Sequence, residues 1–189
     1  MRDFRTVAIC GLILSVSAGA ALAQAAGAPP PQLTLSSTSF TDGGMLADKN
    51  TAVSAKPVSP ELSWVNPPAG TVSFALLVHD MDAVTGKSSE DHLHWGIFNI
   101  PASVHELPEA VANVPKLPDG SIQIKSSAPF VDGYRGPAFK GPNNFHHYAF
   151  ELYALDANLS LGPEASRPDM LKAMDGHILA QASVVALKH

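Results

Sequence analysis

The chain of 189 residues carries 12 basic and 17 acidic side chains, a formal net charge of −5, and is 46% hydrophobic. No basic cluster interrupts the acidic excess, which argues against nucleic acid and anionic membrane surfaces as partners and leaves any bound anion to be captured locally. With Cys10 as the one cysteine, an internal disulfide is excluded.

Residues 1–23 read as a signal peptide. Arg2 and Arg5 lead, an apolar run extends from Val7 to Leu22, and Ala21-Leu22-Ala23 fits a small-residue cleavage site. The run is too short and too rich in small residues for a membrane span. Export to the periplasm or beyond the cell is therefore expected, with no membrane insertion after cleavage. Cleavage would remove Cys10, so the mature chain rests on its apolar core, and it is long enough to have one. Residues 24–31, rich in Ala and Pro, read as a linker. A single domain is expected over residues 32–189.

From there the pattern is strand-like. "LTLSSTSF" (33–40) alternates apolar with hydroxyl residues, and "NPPAG" (66–70) signals a turn. Leu62 and Trp64 fall on one face of a short strand between them. "TVSFALLVHD" (71–80) is apolar at both parities, as in a central strand covered on both sides. "HWGIFNIP" (94–101) and "HHYAFELYALD" (146–156) continue in the same style. Helix is scarce. Ser166 as N-cap, Pro168 in the first turn and an apolar stripe of Met170, Leu171 and Met174 predict one helix. Gly176 breaks it before a further helix turn or a last strand. The class is all-β, a sandwich with one or two peripheral helices.

Three strand ends deliver polar groups that a core does not need. The central strand closes on Asp80 and Asp82, the next opens with His92 and His94, and a third opens with His146, His147 and Tyr148. Side chains alternate along a strand, so His92 and His94 share a face, and His146 and Tyr148 share the inward face of Phe150 and Leu152. His147 points the other way. Gathered at one rim, these groups would form a polar pocket suited either to a divalent metal, since H-x-H is a two-ligand motif, or to a small anion. The loop "DGYRGPAFKGPNNF" (132–145), with three glycines, offers backbone N–H groups in the manner of an anion nest. Asp80 would stand behind a histidine and fix its tautomer.

These residues resemble the phosphatidylethanolamine-binding protein family, in its bacterial Raf kinase inhibitor-like branch. The resemblance rests on "SPELSW", "ALLVHDMDA", "HWGIFNIP" and "GYRGPAFKGPNNFHHYAFELYALD", in the family's order from about Leu33 to Ala186. It implies a two-sheet antiparallel β-sandwich with small helices near the C-terminus. It also implies a pocket that holds a phosphate ester or phospholipid headgroup without chemistry on it, so no enzyme and no cofactor. Carried over by position, the family's first two aspartates are Asp80 and Asp82, and its pocket histidine is His94, ahead of Asn99. Its H-x-Y pair is His146 and Tyr148, and its anion loop is Gly136, Pro137 and Ala138. His94 and Tyr148 are expected to donate to the anion, and His92 has no fixed role. Eukaryotic relatives imply a protein partner to inhibit or modulate, and a homodimer is compatible with the chain. The sequence departs from the family at Met81 and Val84, which replace two prolines, and at Phe139 and Lys140, where Lys140 would add a cation at the pocket mouth. The rival from another class is a metal-dependent hydrolase using His92, His94 and His146.

Overall fold

The computed structural model describes residues 32–84, 90–127, 131–138 and 144–189. Residues 1–31, on which the expected signal peptide and linker fall, and Phe139 and Lys140 lie outside them. Nine strands appear in chain order: β1 Thr34–Ser36, β2 Gly44–Met45, β3 Leu62–Val65, β4 Ser73–Val84, β5 Asp91–Pro101, β6 Glu106–Leu107, β7 Ile122–Ile124, β8 His146–Leu155 and β9 Ile178–Lys188. A 3₁₀ turn spans Asp48–Asn50, and one α-helix, α1, spans Arg167–Met174. The fold is mostly strand, as the alternating pattern predicts.

The strands form two sheets. One has the order β1-β3-β6 and the other β2-β9-β8-β4-β5-β7. The long strands pair antiparallel, with β4 at the centre between β5 and β8. One pairing departs from the all-antiparallel expectation: β2 runs parallel to β9, with Gly44 opposite Ala186. Asp42 fixes that edge, its carboxylate accepting from the Val185 N–H at 2.8 Å while the Gly43 N–H donates to the Val185 carbonyl.

β4 is buried on both faces, which explains its unbroken apolar run. Phe74, Leu76 and Val78 join Trp95, Ile97, Phe150 and Leu152 in a cluster that also holds Leu35, Leu62, Trp64 and Leu107 of the small sheet. Trp64 meets Phe74 edge-on at 5.3 Å. Ala75 and Leu77 face the other way, toward Phe98, Ile124, Met170 and Met174. Each fully buried Leu or Phe contributes about 2 kcal/mol.

Helix α1 starts where its cap predicts. Ser166 and Asp169 close a reciprocal capping box, with Pro168 in the first turn. Met170 and Met174, four residues apart, are the buried stripe, whereas Leu171 is 42% exposed. Gly176, at φ 79°, ends the helical region. Beyond it the chain enters strand β9 rather than a second helix.

Two irregularities in β5 re-aim its side chains. Asn99 sits at φ 56°, and the register steps between Phe74 opposite Ile100 and Leu76 opposite Ile97. A second step, between Val78 opposite Trp95 and His79 opposite Leu93, leaves His94 unopposed. His94 and Trp95 therefore face the same side, which strict alternation would forbid.

Candidate ligand-binding site

The rim of the large sheet gathers four of the predicted residues. Asp80 on β4 stands opposite Tyr148 on β8 and His92 on β5. The His146 Nδ1–H donates to Asp80 Oδ2 at 2.7 Å, so Asp80 orients that ring as predicted. Asp80 Oδ1 accepts from the Asp82 backbone N–H at 3.0 Å. The His94 ring meets Tyr148 edge-on at 5.1 Å and stands 6.3 Å from the His92 ring. The His146 and Tyr148 rings lie 6.5 Å apart.

The loop before β8 is stitched to His94 by two bonds. The Arg135 N–H donates to the His94 carbonyl at 2.8 Å, and the His94 Nδ1–H donates to the Arg135 carbonyl at 2.8 Å. A carbonyl oxygen can only accept, so the ring proton sits on Nδ1. Burial is the largest influence on His94 and pulls its pKa down to about 4, with the Arg135 charge acting in the same direction. At neutral pH the ring is uncharged, and Nε2 carries a lone pair. In that state Nε2 presents an acceptor.

Tyr148 is fully buried, and its hydroxyl lies near the Asp80 carboxylate without making a hydrogen bond of good geometry among the described residues. Burial first, then the nearby Asp80 carboxylate, pushes the phenol far above the usual tyrosine range. Buried hydroxyls are rarely left unpaired. This one stands beside the His94 and His146 rings.

The remaining predicted residues fall elsewhere. Asp82 is turned to the outer rim, where its carboxylate accepts from the His147 N–H at 2.6 Å and from His147 Nδ1 at 2.8 Å. It braces the chain there and does not join the other four. His147 points outward, as its parity predicts. An open concavity of about 480 Å³ lies on that side, lined by Asp82, Phe145, His146, His147 and Leu187 among others. Gly136 and Ala138 line a different concavity of about 320 Å³, with Pro57, Asn113 and Tyr134. A Cβ on Gly136 would come within 2.6 Å of the Pro57 Cβ. The glycine permits that close packing. Among the described residues neither the Gly136 nor the Ala138 N–H donates a hydrogen bond.

Sequence reasoning missed Arg135. It sits on the loop that bonds His94, its charge acts on both His94 and Tyr148, and its Nη1 donates to the Ser127 carbonyl at 3.3 Å. The signal was in the motif: a cation enclosed by "GY" and "GP". The metal alternative finds no support. Among the described residues no group of three or more His, Cys, Asp or Glu side chains is placed to hold a metal ion.

The other face of β4 carries a second polar cluster. His79, next to Asp80, turns toward α1. Its Nδ1 lies 2.5 Å from Asp91 Oδ2, and its Nε2 makes an ion pair with Glu151 Oε2 at 3.4 Å. Arg167 of α1 pairs with the other Asp91 oxygen, and Tyr153 donates to Glu151 at 2.9 Å. Burial lowers the His79 pKa, but hydrogen bonds to Glu151 and Asp91 outweigh it, and the net shift is upward. The bond to His79 holds Glu151 below the usual carboxylate range.

A sequence model described as "Phosphatidylethanolamine-binding protein" matches residues 36–188. The chain belongs to that family. Among relatives of this phosphatidylethanolamine-binding protein family member, the "UPF0098 protein" of Methanothermobacter thermautotrophicus is 40% identical over 82% of the chain and 97% of the relative. The "UPF0098 protein YbhB" of Escherichia coli is 33% identical over 69% and 80% of the two chains. The crystal structure of Escherichia coli YbcL, described as a new member of the mammalian PEBP family, superposes with a TM-score of 0.73 at 26% identity, covering 84% of this chain and 99% of that one.

Proposed function

We propose that this family member is an exported, non-enzymatic binding protein whose pocket, between Asp80, His94, Arg135, His146 and Tyr148, holds a small phosphate-type anion. One observation carries the reading: a buried tyrosine hydroxyl without a partner stands beside two imidazoles and within reach of an arginine charge. The two sheets with one shared apolar cluster support a β-sandwich that holds these groups rigidly at one rim. Export to the periplasm or outside the cell rests on the order of charged, apolar and small residues in 1–23. Among the described residues no helix is long and apolar enough to cross a membrane. Family relationship extends the proposal to a protein partner modulated by the loaded or empty pocket.

Calorimetry with inorganic phosphate tests the pocket. Tyr148→Phe removes one donor to a charged guest and is expected to weaken binding by about ten- to a hundredfold, from the 1.5–3 kcal/mol of such a bond. An unchanged affinity would overturn the reading.

A further inference from the structure

We infer that the pocket selects oxyanions that carry a proton of their own, hydrogen phosphate above all, over fully deprotonated oxyanions of the same size and charge such as sulfate. The inference rests on the anion reading proposed for this site and deepens it.

Selectivity comes down to a count of donors and acceptors. His94 cannot turn its Nδ1–H to a guest without breaking the bond to the Arg135 carbonyl, and the reciprocal Arg135 N–H bond holds that loop in place. Nε2 of the neutral ring has no hydrogen-bond partner among the described residues and presents a lone pair. The Asp80 carboxylate, behind His146, is a second acceptor at the same rim. The Tyr148 hydroxyl rotates and serves either role. A guest that meets this set with lone pairs alone faces His94 lone pair to lone pair. A guest with one O–H donates to Nε2 and accepts from Tyr148 with its remaining oxygens. Sites built to pair a buried acceptor reject the isostere that lacks the donor, by factors of about 10⁴ in favourable cases.

The groups around His94 sharpen the distinction. Asp80 from β4, His92 from β5, Arg135 from the loop and Tyr148 from β8 all face it. Burial and the Arg135 charge keep the ring neutral down to about pH 4. For sulfate to receive a proton from Nε2, His94 must take one up from solvent, so sulfate binding is linked to one proton. Its affinity then rises about tenfold for each pH unit of acidification. Inorganic phosphate retains at least one proton across the range from about pH 5 to about pH 8 and needs no such uptake. A phosphodiester without a donor of its own falls with sulfate.

The test is calorimetry on the mature protein with inorganic phosphate and with sulfate at about pH 7.5 and about pH 5.5, each in two buffers of different ionisation enthalpy. Phosphate is expected to bind at least about a hundredfold more tightly at the higher pH. Sulfate is expected to gain about a hundredfold on acidification to the lower, with uptake of about one proton. His94→Gln, whose amide can donate, should shrink the difference, and the comparison on the unaltered protein stands even if that variant folds poorly. Equal affinities at the higher pH, or a sulfate affinity flat with pH, would overturn the selectivity and leave the anion pocket standing. Failure of both ions to bind would overturn the pocket itself, and the selectivity with it.

Discussion

Two consecutive residues of β4 send polar groups to opposite faces of the same sheet, with opposite outcomes. His79 enters a chain of ion pairs and hydrogen bonds linking Asp91, Glu151, Arg167 and Tyr153. Asp80 enters a set in which a buried tyrosine hydroxyl and one nitrogen of a buried histidine have no partner among the described residues. The first cluster ties α1 to the sheet, since Arg167 belongs to the helix. The second keeps unmet hydrogen-bonding capacity at a rigid place. Polar atoms without a hydrogen bond occur on both faces, His79 Nε2 and Arg167 Nε on one and the Tyr148 hydroxyl on the other; what differs is that an arginine of α1 joins the first cluster, whereas the second lies at the rim of the sheet.

Removing a charge from the tie should give the largest effect. Asp91→Asn takes the carboxylate from both His79 and Arg167, whose side chains are 10% and 20% exposed. A loss of about 3 kcal/mol is expected in urea denaturation, the low end for breaking a buried pair, with phosphate affinity unchanged within about twofold. A loss of affinity without a loss of stability would erase the distinction between the faces.

Next in size is the acid response, where the two histidines pull in opposite directions. The folded-state pKa of His94 is depressed from 6.5 to about 4. Its neutral form is fully in place above pH 6.5, and the folded state loses ground as pH falls from 6.5 toward 4, by about 2–3 kcal/mol. His79 is shifted upward, so its contribution is complete below about pH 6.5 and is lost as pH rises through its folded value. Urea midpoints should fall as pH is stepped down from neutral to about 4, and His94→Gln should flatten that fall. An unaltered slope in the variant would place the acid sensitivity elsewhere.

The smallest effect belongs to the outer rim. His147→Ala breaks an ion pair with Asp82 in which both side chains are about half exposed. Stability should stay within about 0.5 kcal/mol and phosphate affinity within about twofold. A larger change in affinity, read by the same calorimetry, would move the site to that side of β8.

Much of this was legible from strand parity. The inward face of Tyr148 and His146, the outward face of His147 and the placement of Asp80 behind a histidine stem from period-two alternation in β8 and β4. The cap of α1 was equally clear, because Ser166, Pro168 and Asp169 are local signals. The short strands β2, β6 and β7 were not, since two or three residues without a longer alternating run around them carry no period. Nor was the side shared by His94 and Trp95, which depends on a bulge set by pairing with β4. The chemistry of His94 was hidden for a different reason: its tautomer is dictated by a carbonyl 41 residues away in sequence. His79 was overlooked because the strand around it is apolar at both parities, although a histidine there is as unexpected as His92 or His94.

The bare backbone at Gly136 has a reach beyond its own packing. With Pro57 and Thr51 pressed against it, there is no room for even a methyl group, and the neighbouring Arg135 carbonyl is held at a fixed height over the imidazole. That clearance works as a mechanical stop. The loop packed there carries the Arg135 carbonyl that accepts from His94 Nδ1. A methyl group added at that stop must displace Pro57 or the loop itself, and the Arg135 carbonyl that His94 donates to sits one residue away.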